Sequence, residues 1–417
     1  MREYDLLGEG FYIDPYPTLA EMRREDPCWF DPRLKAFITT RYQDIRRVLY
    51  DHDDFSSQRV AQFVNGAPPY LQDKVDTYVG ELSRWLLFLD PPHHAVLRAR
   101  LLQSFGSRFL DLVGEAAEQA ATDALDKIEA CPAADVISDF AYPVPTRVLA
   151  RVLGISNADI ERFKAWTTDV FTLIGAGVAD EAAVETGYRG VTELREYVLA
   201  LLQHKREAPA DDVLTALANP ANDEPGEIVP DDDIVGLFMA MIIAGHETMT
   251  GLIGNALHAI LSDSRCRNWI LDKPNLPEAA VDELIRYDGP VLSIMRRAKR
   301  DVVIAGQVVG EGSYVFNVLN AGNRDPRKFR DPDRLDFSRP QPDHVGLGTG
   351  IHQCLGAPMA RRVIREAVPR FVHRFPNAAV VDGCVWQRNI SIRGMLALPV
   401  ILGGSQATME GASTSYG

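Results

Sequence analysis

The chain has 417 residues, 46% of them hydrophobic, which is enough for a sizeable buried core. Its formal net charge of -14 argues against nucleic acid as a bulk partner and against an anionic membrane surface. The five cysteines (Cys28, Cys131, Cys266, Cys354, Cys384) are scattered, odd in number and form no C-x-x-C, which fits a reducing cytoplasm and no structural zinc.

The N-terminus opens charged, without the apolar region of a signal peptide. Pro15 and Pro17 lead into helical spacing at Leu19 and Met22, followed by a strand-like run at 36–40. Residues 60–89 read as irregular and aromatic (Phe63, Tyr70, Tyr78, Trp85, Phe88), a long loop of the kind that is often functional. From Ala95 to about Arg206 the pattern is helix after helix. Pro209 and the stretch 219–230 are loops. Asp231, Asp232 and Asp233 then start a long helix to about Ser262, with acids at its positive end. It is apolar nearly all round, so it is expected to be buried. Its longest apolar run, 237–245, is about half of what a membrane span needs. A further helix is predicted over 277–287. After Pro290 the texture changes to short alternating runs, 302–304 and 307–309, read as a small sheet. No linker interrupts this pattern. The expectation is one domain over 1–403, mainly α with a small β region, and a disordered tail over 404–417.

The chemistry centres on Leu347-Gly348-Thr349-Gly350-Ile351-His352-Gln353-Cys354-Leu355-Gly356. Gly346, Gly348 and Gly350 permit a tight turn. The residues after Cys354 read as a helix, with Pro358 in its first turn. Cys354 therefore sits at a helix N-terminus, where loop amides favour thiolate over thiol. Such a thiolate is a metal ligand or a nucleophile, in the second case with His352 as its base. A dinucleotide loop is excluded: the spacing is not G-x-G-x-x-G and no strand-like run precedes it.

The whole stretch resembles the haem-binding loop of the cytochrome P450 family, F-G-x-G-x-H/R-x-C-x-G, with Leu347 where the family has Phe. The resemblance extends from about Asp14 to Leu402 and implies the P450 fold, haem b, and Cys354 as the axial iron ligand, with Gly348 in the loop beneath the ring. A thiolate ligand pushes electron density onto iron and favours O–O cleavage.

Three further patterns fall in the family's order. In the long helix, Ala244-Gly245-His246-Glu247-Thr248 is not H-E-x-x-H, because Thr250 stands where the second His would be. A threonine hydroxyl bonded back to its own helix is the plain reading. The stretch resembles the family's A/G-G-x-D/E-T, which implies that Glu247 and Thr248 deliver protons and that Gly245 leaves room for dioxygen. Glu283-Leu284-Ile285-Arg286 is an E-x-x-R. Alone it is a common surface pair; the resemblance makes Glu283, Arg286 and Arg334 a structural triad. His94 and Arg98 in Asp90-Pro91-Pro92-His93-His94, with Arg296 and His352, are implied partners of the two haem propionates, and His344 is a weaker one.

Two stretches, 91–110 and 344–365, contain no acid. Beyond the propionate candidates they leave Arg100, Arg108, Arg361, Arg362 and Arg365, read either as chance or as a basic face for an acidic electron donor. The resemblance thus implies a soluble, cytoplasmic, monomeric monooxygenase without a membrane or nucleic-acid partner. It would take electrons from ferredoxin and its reductase, or from a flavodoxin-type donor, and insert one atom of O2 into a bulky, mainly hydrophobic small molecule of specialised metabolism. A peroxide-driven enzyme, an oxidative-coupling or ring-forming variant and a non-catalytic haem sensor are the alternatives.

Overall fold

The computed structural model describes residues 3–175, 179–219 and 229–403. The tail 404–417 and most of the loop 219–230 lie outside the described residues.

Helix starts follow local chemistry. Short α1 (Glu9–Ile13) precedes α2 (Tyr16–Glu25), which has a proline in its first turn. Strands β1 (Cys28–Asp31) and β2 (Ala36–Thr39) form a hairpin ahead of α3 (Tyr42–Tyr50) and β3 (Phe55–Ser56). Then come α4 (Gln72–Leu82), α5 (His93–Ser104), α6 (Phe109–Ile128) and the short strand β4 (Ala133–Asp135). Helix α7 (Pro143–Leu153) starts on a proline and stops at Gly154, whose φ of 80° is the left-handed cap that glycine adopts freely. Helix α8 (Ile160–Gly175) is followed by α9 (Glu181–Glu207) and α10 (Val213–Ala218). Asp180 and Asp212 cap the last two, each carboxylate accepting from the amide three residues on.

The 31-residue α11 (Asp231–Leu261) runs through the middle, with 21 buried residues around its whole circumference. It is long and apolar enough to cross a membrane, but 67% of its most apolar window is buried inside the protein, so it serves as the core helix. Helices α12 (Ser264–Leu271) and α13 (Glu278–Asp288) follow, then β5 (Ser293–Ala298), the hairpin β6 (Val302–Ile304) and β7 (Gln307–Val309), β8 (Tyr314–Val318) and α14 (Leu319–Asn323). Helix α15 (Ala357–Arg374) and strands β9 (Ala379–Val380), β10 (Val385–Trp386), β11 (Met395–Ala397) and β12 (Pro399–Ile401) complete the described chain.

The main sheet has the order β1-β2-β8-β5-β3, with β2 and β8 parallel and the other pairs antiparallel. Side chains alternate along β5, so buried Arg296 points to the opposite face from exposed Arg297. The fold is mainly α with small sheets, as expected.

The stretch 60–89 departs from its reading as irregular. It holds α4, where Val75, Tyr78 and Leu82 are buried at three- and four-residue spacing. Tyr78 and Trp85 are core residues at 0% and 1% exposure.

Candidate active site

The cysteine loop needs its glycines. Gly348 and Gly350 have φ of 70° and 73°, a region that side chains resist. A Cβ on Gly350 would also lie 2.9 Å from the carbonyl oxygen of Leu49 at the end of α3. The turn closes as the Cys354 amide donates to Leu347 O at 2.9 Å. Cys354 is reachable by solvent, yet protein atoms crowd it. Burial is the largest influence on its thiol and pushes the pKa up; the amides of Gly356 and Ala357, with Arg98 and Arg361, pull it down. The loop amides do favour thiolate, but burial outweighs them. Coordination to a metal would remove the proton outright.

Beside this loop lies a cluster of cationic and imidazole groups. The rings of His94 and His352 are 4.2 Å apart between centroids. Arg98 donates to Gln353 O at 2.9 Å. Burial, with Arg296, His94, Arg59 and Arg98 nearby, drives His352 down to about 2. Burial and Arg98 lower His94 to about 4. Arg296 falls to about 10 and Arg59 to about 9, both chiefly through burial.

One carboxylate, Asp90, influences this cluster, and it is already engaged by Ser56 Oγ at 2.5 Å and the Ser57 amide at 2.8 Å. Ser57 Oγ in turn meets His352 Nε2 at 2.9 Å. Arg296, 4% exposed, donates among the described residues to its neighbour's carbonyl, Met295 O, and His94 Nε2 is buried without a partner. Buried donors left this way are costly unless an acceptor arrives. They suit a prosthetic group with two carboxylates.

Sequence reasoning missed Arg59, which sits just ahead of the stretch read as irregular, outside every motif. His344 is placed differently from expectation. Its Nε2 is 3.5 Å from Asp282 Oδ1 and its Nδ1 accepts from the Gly346 amide at 3.1 Å, so it braces the loop against α13 rather than joining the cations.

On α11, the Thr248 hydroxyl donates to Ala244 O at 2.5 Å, the plain intrahelical bond. Its lone pairs stay available to accept. Burial raises Glu247 and Lys164 on α8 opposes that shift, so its carboxyl is held closer to its protonated form. Gly245 has a packing role as well as the one the resemblance implies. A Cβ there would lie 2.9 Å from Leu149 Cδ2, so the glycine lets α7 pack closely on α11.

The expected triad is also corrected. Arg286 donates to both oxygens of Glu283, at 2.7 and 2.8 Å, and both side chains are fully buried. The third member is Arg339, with Nε 3.1 Å from Glu283 Oε2. The Arg334 side chain is exposed, and that residue contributes its backbone carbonyl to Arg286 at 3.0 Å.

Such a fold and site define a haem-thiolate oxidoreductase. A cytochrome P450 family model matches residues 271–398. Cytochrome P450 107B1 of Saccharopolyspora erythraea is 31% identical over 410 residues, covering 95% of this chain and 97% of that protein. The monooxygenase PikC of Streptomyces venezuelae is 32% identical over 406 residues, covering 94% and 92%. The solved structure of the bacillaene polyketide synthase cytochrome P450 PksS of Bacillus subtilis superposes with a TM-score of 0.84 at 28% identity, covering 96% of this chain and 100% of that one. The chain belongs to the cytochrome P450 family, monooxygenases that bind haem b through a cysteine thiolate.

Proposed function

We propose that the chain is a cytoplasmic monooxygenase of specialised metabolism, with Cys354 as the axial haem ligand and a bulky, mainly apolar small molecule as substrate. Its unit of function is 1–403, and its electrons come from a ferredoxin or flavodoxin-type donor. The observation that carries this reading is the cation cluster beside Cys354, with Arg296 and His94 left holding unused donors. His94, Arg98, Arg296, His352 and Arg59 would hold the two propionates by charge-assisted bonds. The names of the relatives support the substrate class: PikC is a monooxygenase and PksS belongs to polyketide biosynthesis.

When bound, haem supplies the dioxygen activation; the protein contributes position, dryness and protons. Cys354 is fixed by the Leu347 bond and by the amides of Gly356 and Ala357. Thr248, bonded to Ala244 O, can accept and pass a proton, and Glu247, whose pKa burial raises, is the acid beside it. The buried wall of α11, including Ala240 at 4% exposure, excludes water from the apolar side.

The test is spectroscopic. Reduced protein with carbon monoxide should give the red-shifted Soret band of thiolate ligation, and Cys354→His should bind haem without it. An unchanged band in that variant would assign the ligand elsewhere. In Thr248→Ala, substrate binding should persist while peroxide rises and product falls.

A further inference from the structure

Asp288 ends α13, and Arg393 stands in the turn between β10 and β11; both lie outside the motifs described above. They are 7% and 6% exposed and form a buried ion pair, Arg393 Nε donating to Asp288 Oδ1 at 2.6 Å. Tyr16 of α2 donates its hydroxyl to the same oxygen, and Arg324 Cζ stands 3.3 Å over the centre of the Tyr16 ring. Arg393 Cζ in turn stands 3.9 Å over Trp386. From α11, Asn255 Nδ2 donates to the backbone of both partners, Asp288 O at 3.1 Å and Arg393 O at 3.0 Å. A buried pair of this kind adds little net stability over an apolar pair of the same shape, so what it fixes in space is the better question.

It fixes two chain segments. After Asp288 the chain runs through 290–294 into β5, and Arg393 follows the turn at 389–392. The two are stitched together. Arg393 N donates to Pro290 O at 2.7 Å, Leu292 N to Ser391 O at 2.9 Å and Ser293 Oγ to Ile390 O at 2.7 Å, and Val291 pairs with Ile392 in an antiparallel bridge. The first segment spans the gap between α11 and the cysteine loop. At one end, a Cβ on Gly251 would lie 3.1 Å from Pro290 Cβ and 3.3 Å from Arg393 O. Gly251 is three residues past Thr248, hence on the same side of the helix. At the other end, Ile294 Cδ1 would lie 4.0 Å from a Cβ on Gly348, and Arg296 of the cation cluster follows on the same face of β5. Val291, Ile294 and Ile392 are apolar yet only partly buried, so this span presents apolar surface.

We infer that Tyr16, Asp288, Arg393 and Asn255 hold Val291, Ile294 and Ile392 as one rigid apolar wall between Thr248 and Cys354, and so decide from outside the site which bulky apolar molecules fit it. They are positioning residues, acting through the two stitched segments. Such support matters because a misplacement of about 1 Å in a site can cost roughly 100-fold. The inference rests on the monooxygenase reading above.

The experiment titrates two iron-ligating probes, imidazole and the bulkier 4-phenylimidazole, into the haem-loaded protein and follows the Soret shift. Imidazole is small enough to leave the wall untouched, whereas the phenyl ring has to pack against it. Tyr16→Phe removes the hydroxyl bond to Asp288 and keeps the ring beneath Arg324. It should weaken 4-phenylimidazole about three- to tenfold, the loss of one hydrogen bond, and leave imidazole within about twofold. Asp288→Asn should move the ratio of the two affinities in the same direction. Leu202→Ala, at a buried position on α9, is the destabilised control and should leave that ratio unchanged. An unchanged ratio in Tyr16→Phe, or an equal change in Leu202→Ala, overturns the inference. Tyr16→Phe keeps the buried ion pair, so it tests the idea even where Asp288→Asn fails to fold. Failure of the monooxygenase reading would show separately, as absence of the thiolate Soret band from the reduced, carbon monoxide-bound wild type.

Discussion

Arg339 Nε approaches Glu283 Oε2 to 3.1 Å, on a carboxylate that Arg286 already holds through both oxygens. The Asp336 amide adds a further bond at 3.0 Å. Arg286 then spans outward to the carbonyls of Asn323, Pro332 and Arg334, tying α13 to the strand-free segment that leads into the cysteine loop.

This arrangement ranks three substitutions. Arg286→Ala would leave a fully buried carboxylate short of its main partner and should cost about 3–5 kcal/mol. Arg339→Ala removes the second cation from the same carboxylate and should cost less, about 1–3 kcal/mol. Arg334→Ala should stay within about 0.5 kcal/mol, because its side chain is exposed and the bond to Arg286 uses its backbone. Urea unfolding of the three variants measures the order. An Arg334 variant as damaged as Arg339→Ala would reverse the assignment.

Gly245 offers a test of packing. Alanine there would press on Leu149 Cδ2, the far end of a side chain that can swing aside. Overpacking costs about 1–3 kcal/mol, and replacing glycine in a helix interior returns about 1 kcal/mol. Gly245→Ala should therefore lose at most about 2 kcal/mol, keep its carbon monoxide spectrum, and recover stability when combined with Leu149→Val. A variant that folds normally but no longer binds carbon monoxide would show that the glycine faces the gas site as well.

The contrast between these residues shows what a sequence can carry. Cys354, Glu283 and Arg286 were legible because their spacing along one loop or helix is their geometry in space. Arg339 and Arg59 were hidden because each reaches its partners from a loop, and loop residues carry no period. Arg334 was chosen by order along the chain, while the choice between it and Arg339 is made by how the 331–339 turn folds. The orientation of Gly245 depends on which helix crosses there, which one-dimensional spacing leaves open. Helix α4 was a different failure: its three- and four-residue spacing was present, but the aromatics around it were read as loop.

Protonation gives a third test, on the apoprotein. His352 and His94 have folded values of about 2 and about 4, well below the usual imidazole value near 6.5, and burial is the first cause of each. The unfolded chain therefore takes up protons first as pH falls. Stability should be fullest above about 6.5 and drain as pH drops toward the folded values, by at most roughly 1.4 kcal/mol per pH unit per imidazole. Anionic propionates would favour the protonated rings, so holoprotein should show a shallower loss. Urea midpoints at pH 7 and 5, with and without haem, measure this. Equal pH slopes in the two forms would mean that the carboxylates do not meet this cluster.

The electron donor supplies the last test, and the structure changes which residues to vary. Arg100 is 8% exposed and donates to Leu217 O at 2.9 Å, so reversing its charge would damage the core rather than a surface. Arg361 is held by Asp282 at 2.8 Å and Arg362 by Glu366 at 3.2 Å, so much of their charge is already answered within the chain. Arg108 and Arg365 are exposed. On α5 the same region presents Val96 and Leu102, each 50% exposed, and just beyond it Leu110 at 44%. The acid-free stretches thus supply a thinner positive rim than a count of arginines suggests, with apolar surface beside it. At 0.1 M salt the field is screened beyond about 10 Å, so two local charges can still act at close approach against a net charge of -14. Rim charges act mainly on association rate. Arg108→Glu and Arg365→Glu should each slow reduction by an acidic ferredoxin about two- to fivefold at low salt, with the difference fading as salt rises. Substrate affinity by spin shift should not move. Leu102→Ser should slow reduction by a similar factor at every salt concentration, since it removes apolar contact. Stopped-flow reduction across a salt series separates the two contributions. Rates indifferent to salt and to all three substitutions would place the donor on another face.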